Sequence, residues 1–323
     1  MDKLTTNKLI IGFITYGKAT AKYLPYFLSS LKEQTWQDFK IIAVDNSEVG
    51  ENENISLIKN NYPEVEIERA GKNLGFGQAY NRMIVKAINY GVKYFLIINS
   101  DMIAEPTAIE TMIQVLENDK AIGAVCPKVL RWEFENNKKI NIIDTLGIKL
   151  LPGLRFVDLG QCLADDGRLE KEVIIGPSGA AGMFRLEVLK KIADGGKYFD
   201  ELMFMYKEDC DLAYRLKLAN IKVKLVSEAV IYHDRTTKAR GESNLDIALN
   251  RKNKNKQVKI WSFKNQLIIY YKYWYLQNIY NKLMILWQLF KILMFALLFE
   301  PYLLKIFVDF SKIKNEAKQF KSV

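Results

Sequence analysis

Tyr94-Phe95-Leu96-Ile97-Ile98-Asn99-Ser100-Asp101 is the stretch whose reading decides the fold. Its first five residues are aromatic, β-branched or otherwise apolar, which reads as a buried strand, and the polar triplet ends it abruptly. In an open parallel α/β sheet, ligands gather at the carboxyl ends of the strands. A carboxylate there can hold a hard divalent cation and, through it, a diphosphate. An Asn/Asp turn that merely closes a strand looks the same. Asp101 therefore needs companions before it implies chemistry.

Working outward, the first hundred residues alternate strand and helix signals. Residues 9–15 are strand-like, and 19–33 carry apolar residues at helical spacing. A second strand over 39–44 ends in Asp45-Asn46-Ser47. A polar helix, a short edge strand at 65–68 and a helix over 77–89 lead back to the opening stretch. Such alternation predicts right-handed crossovers and a mainly parallel α/β sheet. Thr15, Tyr16, Asp45 and Asp101 should then line one crevice.

Beyond Asp101 the pattern changes. A helix over 107–117 follows Pro106, and 122–160 has the short runs and turn residues of hairpins. Gly176-Pro177-Ser178-Gly179-Ala180-Ala181-Gly182 lets a backbone approach closely, either a ligand or the sheet itself. An amphipathic helix over 208–219 and two strand-like runs ending at His233 complete a first unit, set at residues 1–244.

The second unit, 245–323, has a different character. Val258 to Gln277 is crowded with aromatics, and 283–299 is apolar apart from Gln288 and Lys291. About 17 residues is short for a membrane span. A lysine in mid-segment argues for a helix lying in the membrane interface, and the tyrosines, tryptophans and lysines around it suit a headgroup boundary. The competing expectation is a helical hairpin packed on the first unit or on a second copy of the chain.

Composition narrows the class further. The chain has 323 residues, is 49% hydrophobic and 26% charged, and so is globular rather than disordered. Its net charge of +10 concentrates in Arg251, Lys252, Lys254, Lys256, Lys259 and Lys264, and in the tail lysines 312, 314, 318 and 321. Such a surface faces nucleic acid, anionic lipid or a phosphorylated substrate. Cys126, Cys162 and Cys210 show no metal-ligand spacing and read as packing residues in a reducing compartment. The polar N-terminus predicts no secretory signal. A cytoplasmic protein, peripheral on the cytosolic face of the membrane, is expected.

Two further segments could do chemistry. Glu208, Asp209 and Asp211 fall within four positions at a helix start, where acids can either complement the helix dipole or present a base to a crevice. His233 is the chain's single histidine and follows a strand-like run.

The order of these segments resembles the family 2 glycosyltransferases, inverting nucleotide-sugar enzymes of GT-A fold, and most of all their bacterial rhamnosyltransferase-like branch. The resemblance runs over about residues 8–235. It rests on Ile14-Thr15-Tyr16, Val44-Asp45-Asn46-Ser47, Asn73-Leu74-Gly75-Phe76-Gly77-Gln78-Ala79-Tyr80-Asn81, Asn99-Ser100-Asp101, 179–185, and the run from Phe199 to Leu212, with His233 after them. The fold implied is a twisted, mainly parallel sheet with helices on both faces and a C-terminal helical extension.

By that resemblance, Asp101 and His233 would hold Mn²⁺ or Mg²⁺. Thr15, Tyr16, Asp45, Asn73, Gly75, Gly77, Asn99 and Ser100 would line the nucleotide side. Asp209 would be the general base, with Glu208 orienting it or touching the acceptor. The branch implies dTDP-β-L-rhamnose as donor, a lipid-diphosphate-linked glycan as acceptor, and cell-surface polysaccharide as product, with a UDP-hexose as the other donor. Position 99 departs from the family's Asp-x-Asp pattern: an asparagine there leaves one fewer charge facing the metal. The sequence lacks the Gly-x-Gly-x-x-Gly turn of a dinucleotide oxidoreductase. Nor does it show the Gly-rich basic loop of a nucleotidyltransferase. A nucleic-acid-binding protein would account for the charge and leave the ordered acids unexplained.

Overall fold

The computed structural model describes residues 8–235 and 255–317. Arg251, Lys252, Lys254, Lys318 and Lys321 of the basic segments lie outside the described residues. The first strand shows why the sheet has two covered faces. In β1 (Leu9–Thr15), Leu9, Ile11 and Phe13 enter one core and Ile10 the other, all fully buried. Burying one such side chain stabilises the fold by about 1.5–3 kcal/mol.

The helix expected over 19–33 is two helices, α1 (Gly17–Ala21) and α2 (Leu24–Lys32). Pro25 lies in the first turn of α2, where its missing N–H costs nothing but where it cannot continue a preceding helix. Then come β2 (Phe39–Asp45), α3 (Glu53–Asn61), β3 (Glu66–Arg69), α4 (Gly75–Asn89) and β4 (Tyr94–Ile98). These four strands pair in parallel in the order β3-β2-β1-β4.

The next segment contains β5 (Met102–Ala104), α5 (Ala108–Asn118), β6 (Ile122–Glu133), β7 (Lys138–Thr145), β8 (Ile148–Leu151) and β9 (Arg155–Asp158). It is followed by β10 (Ala181–Arg185), α6 (Leu186–Lys191), α7 (Glu208–Leu218) and β11 (Lys222–His233). β6–β7 and β8–β9 are antiparallel hairpins, as the turn residues predict. The main sheet continues β4-β10-β6-β11-β5, with β10 antiparallel between β4 and β6. The two strand-like runs before His233 form one strand, interrupted by a register shift between Val226 and Val230 where it pairs with β6. β11 also pairs with β5, setting His233 opposite Met102, the residue after Asp101.

Helices cover both faces: α2, α3 and α5 on one, and α4, α6 and α7 on the other. A third core joins α7 to α8 (Lys256–Tyr273), α9 (Ile279–Phe299) and α10 (Leu304–Ala317) through Ala213, Tyr214, Phe263, Ile268, Ile285 and Ile306. α9 has 21 residues, is long and apolar enough to cross a membrane, and is 17% buried over its most apolar window. It is therefore longer than the sequence suggests, packing on the third core through Ile285 and Ala296 while most of that window stays exposed.

Candidate functional site

At the carboxyl end of β2, Asp45 is 1% exposed and fully bonded. Its Oδ1 accepts from Thr15 Oγ1 at 2.7 Å and Ser47 Oγ at 3.0 Å, and its Oδ2 from Asn52 Nδ2 at 2.8 Å. Asn52 also caps α3 by accepting from the N–H groups of Asn54 and Ile55. The strand end and the helix start are thus one unit. Tyr16, beside it, is exposed and free to meet a ligand.

Asn73 Oδ1 accepts from the N–H of Gly75, opening α4. A Cβ on Gly75 would come 2.1 Å from the Phe204 carbonyl oxygen, and one on Gly77 3.0 Å from Phe199 Cβ. These glycines admit the 199–204 segment, and so position the residues that follow it. Gly75 also has a φ of +72°, which glycine alone adopts freely.

That segment ends in a strained turn. Tyr206 and Lys207 have φ values of 72° and 69°, left-handed backbone that costs a non-glycine residue roughly 1–2 kcal/mol. Asn265 of α8 holds the turn, donating its amide to the carbonyls of Met205 at 2.9 Å and Tyr206 at 2.6 Å. α7 then begins with Glu208 and Asp209. Asp209 is half-buried; its Oδ2 accepts from the N–H of Gly179 at 2.8 Å and its Oδ1 from that of Cys210 at 2.8 Å. Glu208 is buried, and its Oε2 has no hydrogen-bond partner among the described residues. Burial, then the charge of Asp209, pushes the Glu208 carboxyl well above the ordinary carboxylate range.

Asp211 does not face the crevice chemistry. It is fully buried and binds Arg215 Nε at 3.0 Å, Lys272 Nζ at 2.7 Å and Tyr273 Oη at 2.8 Å. Lys272 also reaches Asp200 at 2.9 Å. Together these contacts fasten α8 to α7.

Asp101 lies past the end of β4, beside the buried Ser100 and the half-buried Asn99, whose N–H donates to the Ala180 carbonyl at 2.9 Å. His233 Nε2 is 3.3 Å from Asp101 Oδ1, and its Nδ1 is 2.8 Å from Asp144 Oδ2. Asp234 braces the pair, donating its N–H to the Asp101 carbonyl while its carboxylate accepts from Tyr23 Oη at 2.6 Å. Asp144 Oδ1 accepts from Arg235 Nη1 at 3.0 Å, and Arg235 Nη2 reaches Asp158 Oδ2 at 3.2 Å. Burial opposes charge on His233, but Asp101 and Asp144 outweigh it and lift the imidazole to about 10. Burial likewise opposes the Asp144 charge, and His233 and Arg235 outweigh it, holding that carboxyl at about 2.

The contacts form two chains: Asp101, His233, Asp144, Arg235 and Asp158 in one, and Asn99, Ala180, Gly179 and Asp209 in the other, with Asn99 two residues before Asp101. Asp144, Asp158 and Arg235 were not singled out from the sequence. A carboxylate within Ile142-Ile143-Asp144-Thr145 is the signal that could have found the first.

Among the described residues no group of three or more His, Cys, Asp or Glu side chains is arranged to hold a metal ion. Asp101 and His233 are a two-donor set, and their geometry fits a divalent cation. Two ligands at right angles, each about 2.1 Å from an octahedral ion, sit about 3.0 Å apart. Asp101 Oδ1 and His233 Nε2 are 3.3 Å apart, leaving the remaining positions to other oxygens.

Comparison with known proteins agrees with the architecture. The family model for Glycosyl transferase family 2 matches residues 11–192, more than half of the chain. No curated protein matches the sequence. Among solved structures, GalNAc-T7 with UDP, GalNAc and Mn²⁺ superposes with a TM-score of 0.57 at 12% identity, over 83% of this chain and 49% of that one. S. aureus TarS gives a TM-score of 0.49 at 14% identity, over 82% of this chain and 43% of TarS. The chain thus spans about half the length of these structures, and the likeness to GalNAc-T7 is one of fold.

Proposed function

The chain belongs to glycosyl transferase family 2, and from that premise we propose that its crevice transfers a sugar, with inversion, from a nucleotide donor to a glycan hydroxyl. One observation carries this reading: the Asp101–His233 pair is tied toward Asp209 by two backbone bonds, Asn99 N–H to the Ala180 carbonyl and Gly179 N–H to Asp209 Oδ2. In-line displacement at an anomeric carbon needs one base for the acceptor and one means of accepting charge on the leaving diphosphate.

Asp209 is the base. Its two oxygens each accept one backbone N–H, which fixes the carboxylate and leaves lone pairs for the incoming hydroxyl. The acceptor oxygen attacks the anomeric carbon, its proton passes to the Asp209 carboxylate, and the bond to the diphosphate breaks on the opposite face. Two carboxylates flanking a glycosidic bond, as a retaining hydrolase requires, are not part of this scheme. Glu208, whose environment favours the neutral acid, positions the acceptor or the base.

Asp101 and His233 would hold Mn²⁺ or Mg²⁺, which when bound neutralises the charge growing on the leaving group. A nitrogen ligand favours Mn²⁺. With Asn99 in place of a second acid, Asp101 and His233 would hold the cation together with the donor's phosphate oxygens. Thr15, Tyr16, Asp45, Asn73, Gly75, Gly77, Asn99 and Ser100 form the nucleotide side.

The donor proposed is dTDP-β-L-rhamnose, supported by the resemblance of the motif set to the rhamnosyltransferase-like branch. The acceptor proposed is a lipid-diphosphate-linked glycan in surface-polysaccharide synthesis. The exposed apolar stripe of Leu283, Leu286, Phe290, Leu293 and Leu297 on α9 supports residence on the cytosolic face of the membrane. Nucleic acid plays no part.

Thermal stabilisation by a panel of nucleotide sugars, with Mn²⁺ and with chelator, tests the donor. The reading predicts the largest rise for the dTDP sugar with Mn²⁺. A UDP-hexose giving the largest rise would replace the donor, and no rise with any nucleotide sugar would overturn the function.

A further inference from the structure

The pairing of β6 with β7 contains an irregularity at a telling place. Leu130 pairs with Ile143, and Val129 with Thr145, so Asp144 is an extra residue with no opposite number on β6. A bulge of this kind bends a strand and re-aims the side chain it carries. Here it sends a carboxylate into the protein, where it is 0% exposed. An acid is costly in such a position unless each oxygen is bonded. Both are: Oδ2 by His233 Nδ1 at 2.8 Å, and Oδ1 by Arg235 Nη1 at 3.0 Å.

We infer that Asp144 is a positioning residue for the cation site, holding His233 in the one tautomer that offers Nε2 to the metal. The inference rests on the proposal that Asp101 and His233 bind a divalent cation. A carboxylate at Nδ1 requires the N–H there, because two acceptors facing each other would repel. Nε2 faces Asp101 Oδ1 at 3.3 Å, and a bound cation would take the place of the proton between them. Carboxylate partners of metal-bound imidazoles also fix the ring plane and raise its basicity, and losing one weakens metal affinity by roughly 10- to 100-fold. The second oxygen performs a matching task. It ties the Arg235 guanidinium to the same bulge, so the residues on either side of Asp234 share one anchor.

The test measures Mn²⁺ binding by electron paramagnetic resonance, with the full chain, with and without dTDP, in wild type and in Asp144→Asn, Asp144→Ala, Asp101→Ala and His233→Ala. Both Asp144 variants are expected to lose roughly 10- to 100-fold in Mn²⁺ affinity. Adding either to His233→Ala is expected to cost nothing more. Mn²⁺ affinity unchanged in a folded Asp144→Asn, while Asp101→Ala and His233→Ala lose it, would overturn the role of Asp144 alone. Affinity unchanged in all four would overturn the cation site as well.

A measurement on the wild type covers variants that fail to fold. His233 is the only histidine in the chain. An imidazole ¹⁵N spectrum with saturating Mg²⁺ and dTDP therefore reports one ring. The inference expects a proton on Nδ1 and none on Nε2, and a bare Nδ1 would contradict it.

Discussion

Asn265 of α8 donates its side-chain amide to the carbonyl of Tyr206 at 2.6 Å, two residues before the proposed catalytic pair begins. Tyr206 is in the left-handed region, so the bond fastens backbone that would otherwise relax. The C-terminal helices are consequently more than a surface appendage. Asn265 of α8 holds the turn from which α7 and the proposed base Asp209 begin.

Replacing Asn265 with alanine removes both bonds to the turn. The expected cost is about 1–3 kcal/mol of stability, with a drop in kcat larger than any change in donor KM. Lys207→Gly relieves the strain at a φ of 69° and should raise the unfolding midpoint. The double variant should recover part of the lost activity. Steady-state kinetics and thermal unfolding of the three proteins check this, and full activity in Asn265→Ala would refute the clamp.

Ending the chain at residue 245 removes Lys272 and leaves Asp200 and Asp211 buried against fewer cations. Breaking such a set costs roughly 3–5 kcal/mol, a large share of a typical domain's stability. That truncation should lose cooperative unfolding. A chain ended after Gln277 keeps Asn265, Lys272 and Tyr273 and should retain it. Circular dichroism during denaturation separates the two.

Glu208 makes stability depend on pH in a defined direction. Its folded-state pKa lies well above the unfolded one, so the folded protein binds the extra proton. Stability contributed by the neutral acid is complete below the unfolded carboxylate pKa and is lost as pH rises toward the folded value. Glu208→Gln, neutral at every pH, should flatten that decline and be the more stable protein at alkaline pH. Urea titrations from pH 4 to pH 9 measure it, and parallel curves for the two proteins would show that Glu208 is ionised when folded.

The stripe on α9 predicts membrane behaviour. Leu286, Phe290 and Leu297 are 52%, 51% and 52% exposed and fall at helical spacing. Changing all three to serine should weaken flotation with anionic liposomes by tenfold or more, since each side chain is worth about 1.5–3 kcal/mol when fully buried. Transfer to a soluble acceptor should be unaffected. Equal flotation of both proteins would remove the anchoring role.

What the sequence made legible was local. The apolar run before Asp101, the acids opening α7 and the histidine closing β11 can each be read from a few neighbouring residues. What it hid was produced by pairing at long range. Only the insertion of β10 between β4 and β6 brings Gly179 to Asp209, and only the pairing of β11 with β5 sets His233 beside Asp101. Asp144 is aimed by a bulge that no periodicity announces. Asn265 reads as an ordinary polar residue among aromatics, yet it is 1% exposed against a strained turn. The break between α1 and α2 was readable, because Pro25 marks it.

The most direct measurement is single-turnover transfer by Asp209→Asn beside wild type, with donor affinity determined calorimetrically on both. The substitution keeps the shape that Gly179 and Cys210 hold and removes the base. Transfer should fall by roughly 10²- to 10⁴-fold while the donor dissociation constant stays within about twofold. Turnover at the wild-type rate would contradict the assignment of Asp209 and, with it, the reaction proposed for this crevice.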